Sequence, residues 1–508
     1  MRPPRPSANF QPRPESAILQ SFRGEVRATA NLHPLENALL IIAGAMLCFM
    51  PWALGTMHEW SQFISLALAA VAMGVALTNR RYSGELAPQG DFRLIMWPKL
   101  IRFPLFWLGL LFLGYIFVQA VNPAWHFVRD GKYWWLEPVP HFSWLPTSVD
   151  APYKEMNPWQ MLVIYGATWL ISCALWVGLT RRSAVQTLFT VIAANGALLA
   201  IVGILQRVTH ARYILWVLNE VNWRGNFFAT FIYKNHAGAY FNLVFMLSVG
   251  LLYWHFSRSE RRLERTSPAP VFAFFSVLLG LSVLLSLSKA ATILMMAFIL
   301  VAFIGFIVRC SVSHGEGRSP WVITVLCAIF TLFIALGAYF LNTNEVFNRL
   351  GLLIEEGQTN GSVTSRNLAR KATFEMAGDK VVTGWGAGSF CHTFPSYQKK
   401  HPEIYNLPGS PNRKMRWEYA HNDYVQLLAE LGLIGAGLVL AMLICAVRYF
   451  FQQRIYLRPH IMFLVLALVI TAAHAWVDFQ FQNPAILILW CVSIILVGRW
   501  SEMENRRA

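Results

Sequence analysis

The feature that most constrains this chain is a succession of apolar runs, each about as long as a bilayer is thick. A membrane-crossing helix needs about 20 mostly apolar residues. Twelve segments qualify: 35–56, 60–78, 103–121, 158–180, 184–205, 228–256, 271–287, 290–308, 320–341, 424–447, 460–480 and 484–498. In lipid every backbone polar group must be satisfied within the chain, so such spans are helices. Composition agrees. Apolar residues make up 56% of the 508 and charged residues 13%, about half the charged share of a soluble domain. The expected fold is therefore an all-α polytopic membrane protein of about twelve transmembrane helices. The stretch 271–308 carries one charge, Lys289. It is too long for one crossing and reads as a tight hairpin with Lys289 at its turn.

The net charge of +16 is spread as short clusters between apolar runs, the pattern that orients membrane helices. With the N-terminus in the cytoplasm, 24 of the 42 Lys and Arg fall in cytoplasmic segments and 8 in short outer segments. The others lie in one long loop, which the rule does not count. This bias, with an even number of spans, places both termini in the cytoplasm. No basic stripe with interleaved aromatics marks a nucleic-acid site. The seven cysteines contain no CxxC, and Cys391 alone falls in the long outer loop, so neither a disulfide framework nor a zinc site is expected.

The organisation expected is a disordered cytoplasmic tail (1–34), a transmembrane domain (35–498) and a short cytoplasmic tail (499–508). Two outer segments stand out. Residues 122–157 are rich in Trp, whose amphipathic rings suit the membrane interface, and read as a lid on the bilayer. Residues 342–420 form a loop long enough to suggest function. Within it Ser362, Thr364 or Ser365 can cap a helix from about Arg366 to Ala377. Gly384, Gly386 and Gly388 then mark a turn.

Several residues can carry chemistry. In the run Ala420-His421-Asn422-Asp423-Tyr424 a polar start leads straight into a membrane helix. Asn422 or Asp423 can cap it, and Gly432 and Gly435 can admit a second helix. His421 then sits at the outer boundary, where an imidazole can accept a proton; helix capping is its plainer role. Arg366 and Arg370, one turn apart, can face a phosphate together or simply face solvent. Lys289 is a functional candidate because a lone cation in an apolar stretch is costly; snorkelling from a turn is the alternative. His474 and Asp478, four apart, can pair with each other. Asn235 and His236 open the sixth span and can cap it. No metal-ligand cluster and no paired-acid motif appears, so neither metal nor cofactor is expected.

Taken in order, four stretches resemble the O-antigen ligase/polymerase superfamily: Phe228-Ala229-Thr230-Phe231-Ile232-Tyr233-Lys234-Asn235-His236-Ala237-Gly238; Leu285-Ser286-Leu287-Ser288-Lys289-Ala290-Ala291; Ser365-Arg366 with Gly384-Trp385-Gly386-Ala387-Gly388-Ser389-Phe390; and the His421 run through Glu430 and Gly432 to Gly435. The tail His474-Ala475-Trp476-Val477-Asp478-Phe479 also fits. The likeness spans about 190–498. The topology read from charge alone puts Asn235, Lys289, Arg366, His421 and Asp478 on one side of the membrane, the outer one.

The resemblance implies a membrane glycosyltransferase, type C-like in fold, in a bacterial inner membrane with its active site periplasmic. The implied donor is a glycan on undecaprenyl diphosphate. The implied acceptor is a sugar hydroxyl, on lipid A–core or on a growing glycan. Arg366 and Lys289, supported by Arg370, would hold the diphosphate. His421 would be the base, with Asn235, His236, Asp423, His474 and Asp478 in support. No cofactor is implied. This chain has Lys289 where the family has Arg, which removes a bidentate grip. Either Lys289 suffices, or Arg370 or Arg224 takes the stronger contact, or the donor differs. A transporter or flippase of lipid-linked glycan is the alternative of another class, although no inverted repeat is evident.

Overall fold

A computed structural model describes residues 32–83, 86, 91–131, 133–218, 226–262, 266–312, 335, 339, 361–407 and 410–505. Its helices in chain order are α1 (Pro34–Trp52), α2 (Glu59–Leu77), α3 (Pro104–Val121), α4 (Pro158–Gly178), α5 (Arg182–Val208), α6 (Lys234–Arg262), α7 (Ala269–Leu285) and α8 (Lys289–Val312). There follow α9 (Gly361–Asp379), α10 (Phe390–Gln398), α11 (Asp423–Gln452), α12 (Pro459–His474) and α13 (Pro484–Asn505), shorter turns aside. Eight of these, α1 to α6 with α11 and α13, are long and apolar enough to cross a membrane, and α7, α8 and α12 are shorter apolar helices. Together they fall on eleven of the twelve expected spans. The twelfth, 320–341, lies outside the described residues apart from Ala335 and Tyr339, and so do residues 1–31 of the expected N-terminal tail. The protein is an all-α polytopic membrane protein.

Local sequence explains where these helices begin. Proline is the first residue of α1, α3, α4, α12 and α13, a position whose N–H has no intrahelical partner and whose φ the ring already favours. Asn157 and Asn422 cap α4 and α11 by accepting backbone N–H bonds, which satisfies orphan donors. Outward-facing apolar side chains such as Ile41, Phe63, Val71, Leu111 and Phe117 are exposed. In a membrane these meet lipid, which removes the cost they would carry in water.

Among the long apolar helices α6 is the most enclosed and α11 the least. The helix α6 packs on α7, α8 and α12, and its small residues set the spacing. A Cβ on Gly238 would come within 2.7 Å of Ser288 and 2.9 Å of Ala291. That close approach brings the turn between α7 and α8, with Lys289 as the first residue of α8, against the start of α6. The hairpin expected at Lys289 is present: α7 ends at Leu285 and α8 begins four residues later.

The two segments expected on the outer side differ from expectation in their local structure. The Trp-rich stretch is a small sheet of β1 (Pro123–Asp130), β2 (Tyr133–Pro138) and β3 (Ser148–Asp150), with β1 antiparallel to β2 and parallel to β3. Period-two alternation sorts its side chains. Trp125, Trp134 and Leu136 pack on buried Phe127, Val149 and Ala151, while Tyr133 and Trp135 stay exposed. The helix of the long loop starts earlier than predicted. Because α9 already includes Gly361, Ser362, Thr364 and Ser365 lie inside it instead of capping it at Arg366.

Candidate active site

The site is built where the starts of α6 and α11 meet the connection between α12 and α13. The first turn of α11 is fixed to that connection by backbone. Asp423 N–H donates to Ala475 O (3.0 Å), Asn422 Nδ2 to Trp476 O (2.8 Å), and Phe481 N–H to the buried Asp423 carboxylate (2.8 Å). His421, one residue before the cap, has φ +53°, a left-handed conformation uncommon for a side-chain-bearing residue and concentrated at functional sites.

That conformation sets His421 Nδ1 2.9 Å from Asp478 Oδ1. The expected pairing of Asp478 with His474 is one of backbone and charge: Asp478 N–H donates to His474 O (3.2 Å) and each side chain acts on the other's charge, while the carboxylate takes its side-chain hydrogen bonds from His421 and Asn235. His474 Nε2 lies 3.1 Å from Gln480 Nε2. Asn235 and His236 do not cap α6, which already begins at Lys234; Asn235 Nδ2 donates to Asp478 Oδ2 and to the Tyr233 hydroxyl, both at 2.6 Å. His236 is buried with Nε2 3.2 Å from Phe479 O. Burial of Asp478 works to raise its pKa, but the His421 hydrogen bond and the charges of His421 and Arg366 outweigh this and hold it at about 2. An ionised carboxylate can only accept hydrogen bonds. His421 Nδ1 is therefore the donor of the pair, and in the neutral imidazole that tautomer has its lone pair on Nε2, the arrangement of a base oriented by a carboxylate.

Aromatic rings frame this pair. Tyr419, Phe479 and Tyr233 form a stack, with Phe479 4.5 Å from Tyr419 and 5.1 Å from Tyr233. The His421 ring meets Phe479 edge-on at 4.7 Å and Trp417 edge-on at 5.4 Å. The imidazole is thus fixed in plane and position.

Cations gather beside it. The charge of Arg366 acts on Asp478, Tyr233 and His474, and Arg207, Lys289 and Arg366 all act on Lys234. Four cations thus converge on the start of α6, a concentration of positive field that suits an anion. Sequence reasoning quoted Lys234 within a motif but gave it no role, and gave none to Arg207. Arg370 donates to Asn367 on its own helix. Arg224 lies outside the described residues.

The glycine turn has another use. Glu430, buried on α11, accepts from Gly388 N–H and Phe390 N–H, each at 3.2 Å, and from Gln426 Nε2. It ties the loop to α11 and places a carboxylate at the start of α10, where the helix dipole favours it. Gly432 was expected to admit a second helix. It has φ +60° and breaks the regular geometry of α11, and a Cβ there would lie 2.4 Å from Val382 O. The neighbour it admits is the backbone of 382–384. For Gly435, the nearest atoms to a Cβ belong to Leu431 of the same helix.

Residues 274–440 match the family model for O-antigen ligase. The match supports the O-antigen ligase-like superfamily read from the motifs. It contains Lys289, Arg366, Arg370, His421 and Asp423, whereas Asn235, His236, His474 and Asp478 lie outside it. The O-antigen ligase match supports an O-antigen ligase- or polymerase-like function in general terms, with lipid-linked glycan and polysaccharide as the class of substrate. No curated protein matches the chain.

Proposed function

We propose that this protein is a periplasm-facing glycosyltransferase of the bacterial inner membrane that moves a glycan from undecaprenyl diphosphate to a sugar hydroxyl, as a ligase or polymerase of surface polysaccharide. The observation that carries the reading is the His421–Asp478 pair at 2.9 Å, beside the cations Arg366, Lys289, Lys234 and Arg207. His421 Nε2 takes the proton of the acceptor hydroxyl as its oxygen attacks the anomeric carbon. The bond from that carbon to the diphosphate oxygen breaks, and the diphosphate leaves with the electron pair. Attack opposite the leaving group inverts the anomeric centre. The cations stabilise the growing charge, the usual source of large electrostatic rate gains. Asp478 holds the imidazole in its tautomer and stabilises the imidazolium that forms.

The test is His421→Ala in reconstituted protein supplied with a lipid-linked glycan. Turnover should fall on the order of 10²- to 10⁴-fold, the share of a positioned base, with donor binding retained. Near-normal turnover in the variant would make His421 a structural residue and overturn the assignment.

A further inference from the structure

Beyond the cations, the far side of the aromatic stack borders a cavity of about 340 Å³, at the small end of the range for small-molecule sites. Tyr419, two residues before His421 and stacked on the Phe479 ring that His421 also meets, lines it, so the cavity adjoins the aromatic frame of His421. The character of the cavity differs from the cationic side. Gln62, Gln160 and Gln482 line it with primary amides, and Lys154 and Arg416 are balanced there by Glu155 and Glu418. A charge-balanced, amide-rich wall does not suit a diphosphate. It suits hydroxyl groups, because each amide offers both donors and acceptors.

The wall is also prepared in advance. Glu155 accepts from Arg416 Nη2 (2.8 Å) and from Arg129 Nη1 of β1 (2.9 Å). Burial works to raise the Glu155 pKa, but the bond from Arg416 and the nearby cations hold it below the usual carboxylate value. Gln62 Oε1 accepts from Tyr153 and Gln160. Gln160 is buried, and its Oε1 has no hydrogen-bond partner in the structure. A buried acceptor left unmatched is costly unless something arrives to pair with it. Gln62, Glu155 and Gln160 come from α2, α4 and the segment after the small sheet, all outside the matched residues 274–440.

We propose that this cavity binds the neutral, polyhydroxylated end of the acceptor glycan and selects which acceptor is used, with Gln62, Gln160 and the Glu155–Arg416 pair as its specificity-determining residues. This deepens the glycosyl-transfer reading above and rests on it. Tyr419 offers a ring face for the C–H side of a sugar, and the acceptor hydroxyl reaches His421 past the edge of the stack.

Two measurements on the full-length protein in lipid nanodiscs test it. The first uses Lys154→Cys, at an exposed position on the cavity rim, and follows its alkylation by a maleimide with and without the methyl glycosides of glucose, galactose and N-acetylglucosamine. At least one glycoside should slow labelling several-fold, and inorganic pyrophosphate should not. The second compares the KM for acceptor in the wild type and in Gln160→Leu. It should rise roughly ten-fold, the loss of one to two buried hydrogen bonds, with the donor KM unchanged. Protection by a glycoside without any transfer by the wild type would uphold the cavity and overturn the reaction. Transfer by the wild type, with no protection by any glycoside and an unchanged acceptor KM, would overturn the cavity and leave the reaction standing. Protection by pyrophosphate alone would make the cavity an anion site and overturn the proposal.

Discussion

Asp478 is the residue on which the candidate site turns, since it accepts from His421 and Asn235 at once. Asp478→Asn keeps the shape and removes the charge that fixes the imidazole tautomer. We expect kcat to fall on the order of 10²- to 10⁴-fold in folded protein, measured as glycan transfer. The same carboxylate links stability to pH. Its pKa is held at about 2 against an ordinary 3.8, so the native state favours the ionised form. The resulting contribution, roughly 2 kcal/mol, is fully present above pH 3.8 and is lost as pH falls toward 2. Thermal unfolding of wild type and Asp478→Asn across that window checks it: the difference between them should shrink with acid. Lys289 makes a second test. Lys289→Ala should lower donor kcat/KM about ten- to hundred-fold, and Lys289→Arg should keep or raise it. Complete loss in folded Lys289→Arg would point to a different pocket. His421, Asp478 and Asn235 were each visible in the sequence as candidates. Their mutual contacts were not, because helical spacing points only to the local neighbour His474, whereas the side-chain partners of Asp478 come from segments 57 and 243 residues away.

At the scale of elements, the motifs are contacts between segments as much as sets of chemical groups. Gly238 admits the Ser286–Ala291 turn, Glu430 holds the glycine loop, and Asn422 holds the connection after α12. Gly432 is the sharpest case. Its φ of +60° and ψ of −167° lie in a region essentially reserved for glycine, and the backbone of Val382 leaves no room for a Cβ. Gly432→Ala should destabilise by about 2 kcal/mol or more and free the 382–390 loop from α11. Both appear as a lower Tm and faster proteolysis of the 361–420 segment, and a variant with wild-type resistance would refute the role given to this contact. Helix starts were legible because Pro, Asn and apolar periodicity act locally. The sheet at 123–150 was not, because its Trp content signalled a membrane interface more strongly than its alternation signalled strands. The stacking of Tyr419 on Phe479 was not legible either, since a contact between distant segments leaves no spacing to read.

For the whole molecule, the orientation proposed from the charge bias makes a direct prediction. Cys391 is buried with its thiol toward Glu155 O, and burial pushes its pKa up to about 12, so it should resist alkylation. Lys399 is exposed just past α10. Lys399→Cys should react with a membrane-impermeant maleimide in intact spheroplasts, above the wild-type background. Labelling only after lysis would place the loop in the cytoplasm and remove the periplasmic mechanism with it. The distance along the chain between Asn235, His421 and Asp478 has a further consequence, for biogenesis. The base and its two partners are synthesised far apart, and Asp478 is made last. On the proposed mechanism, a nascent chain halted just before Asp478 already holds α1 to α12 and all four cations, so it gathers anionic lipid without being able to react it. In the proposed orientation, competence arrives only when the segment after α12 reaches the outer face and closes on His421. Chains truncated between 474 and 478 should therefore insert and yet act as dominant traps for the proposed lipid carrier, a growth defect that full-length His421→Ala protein would share.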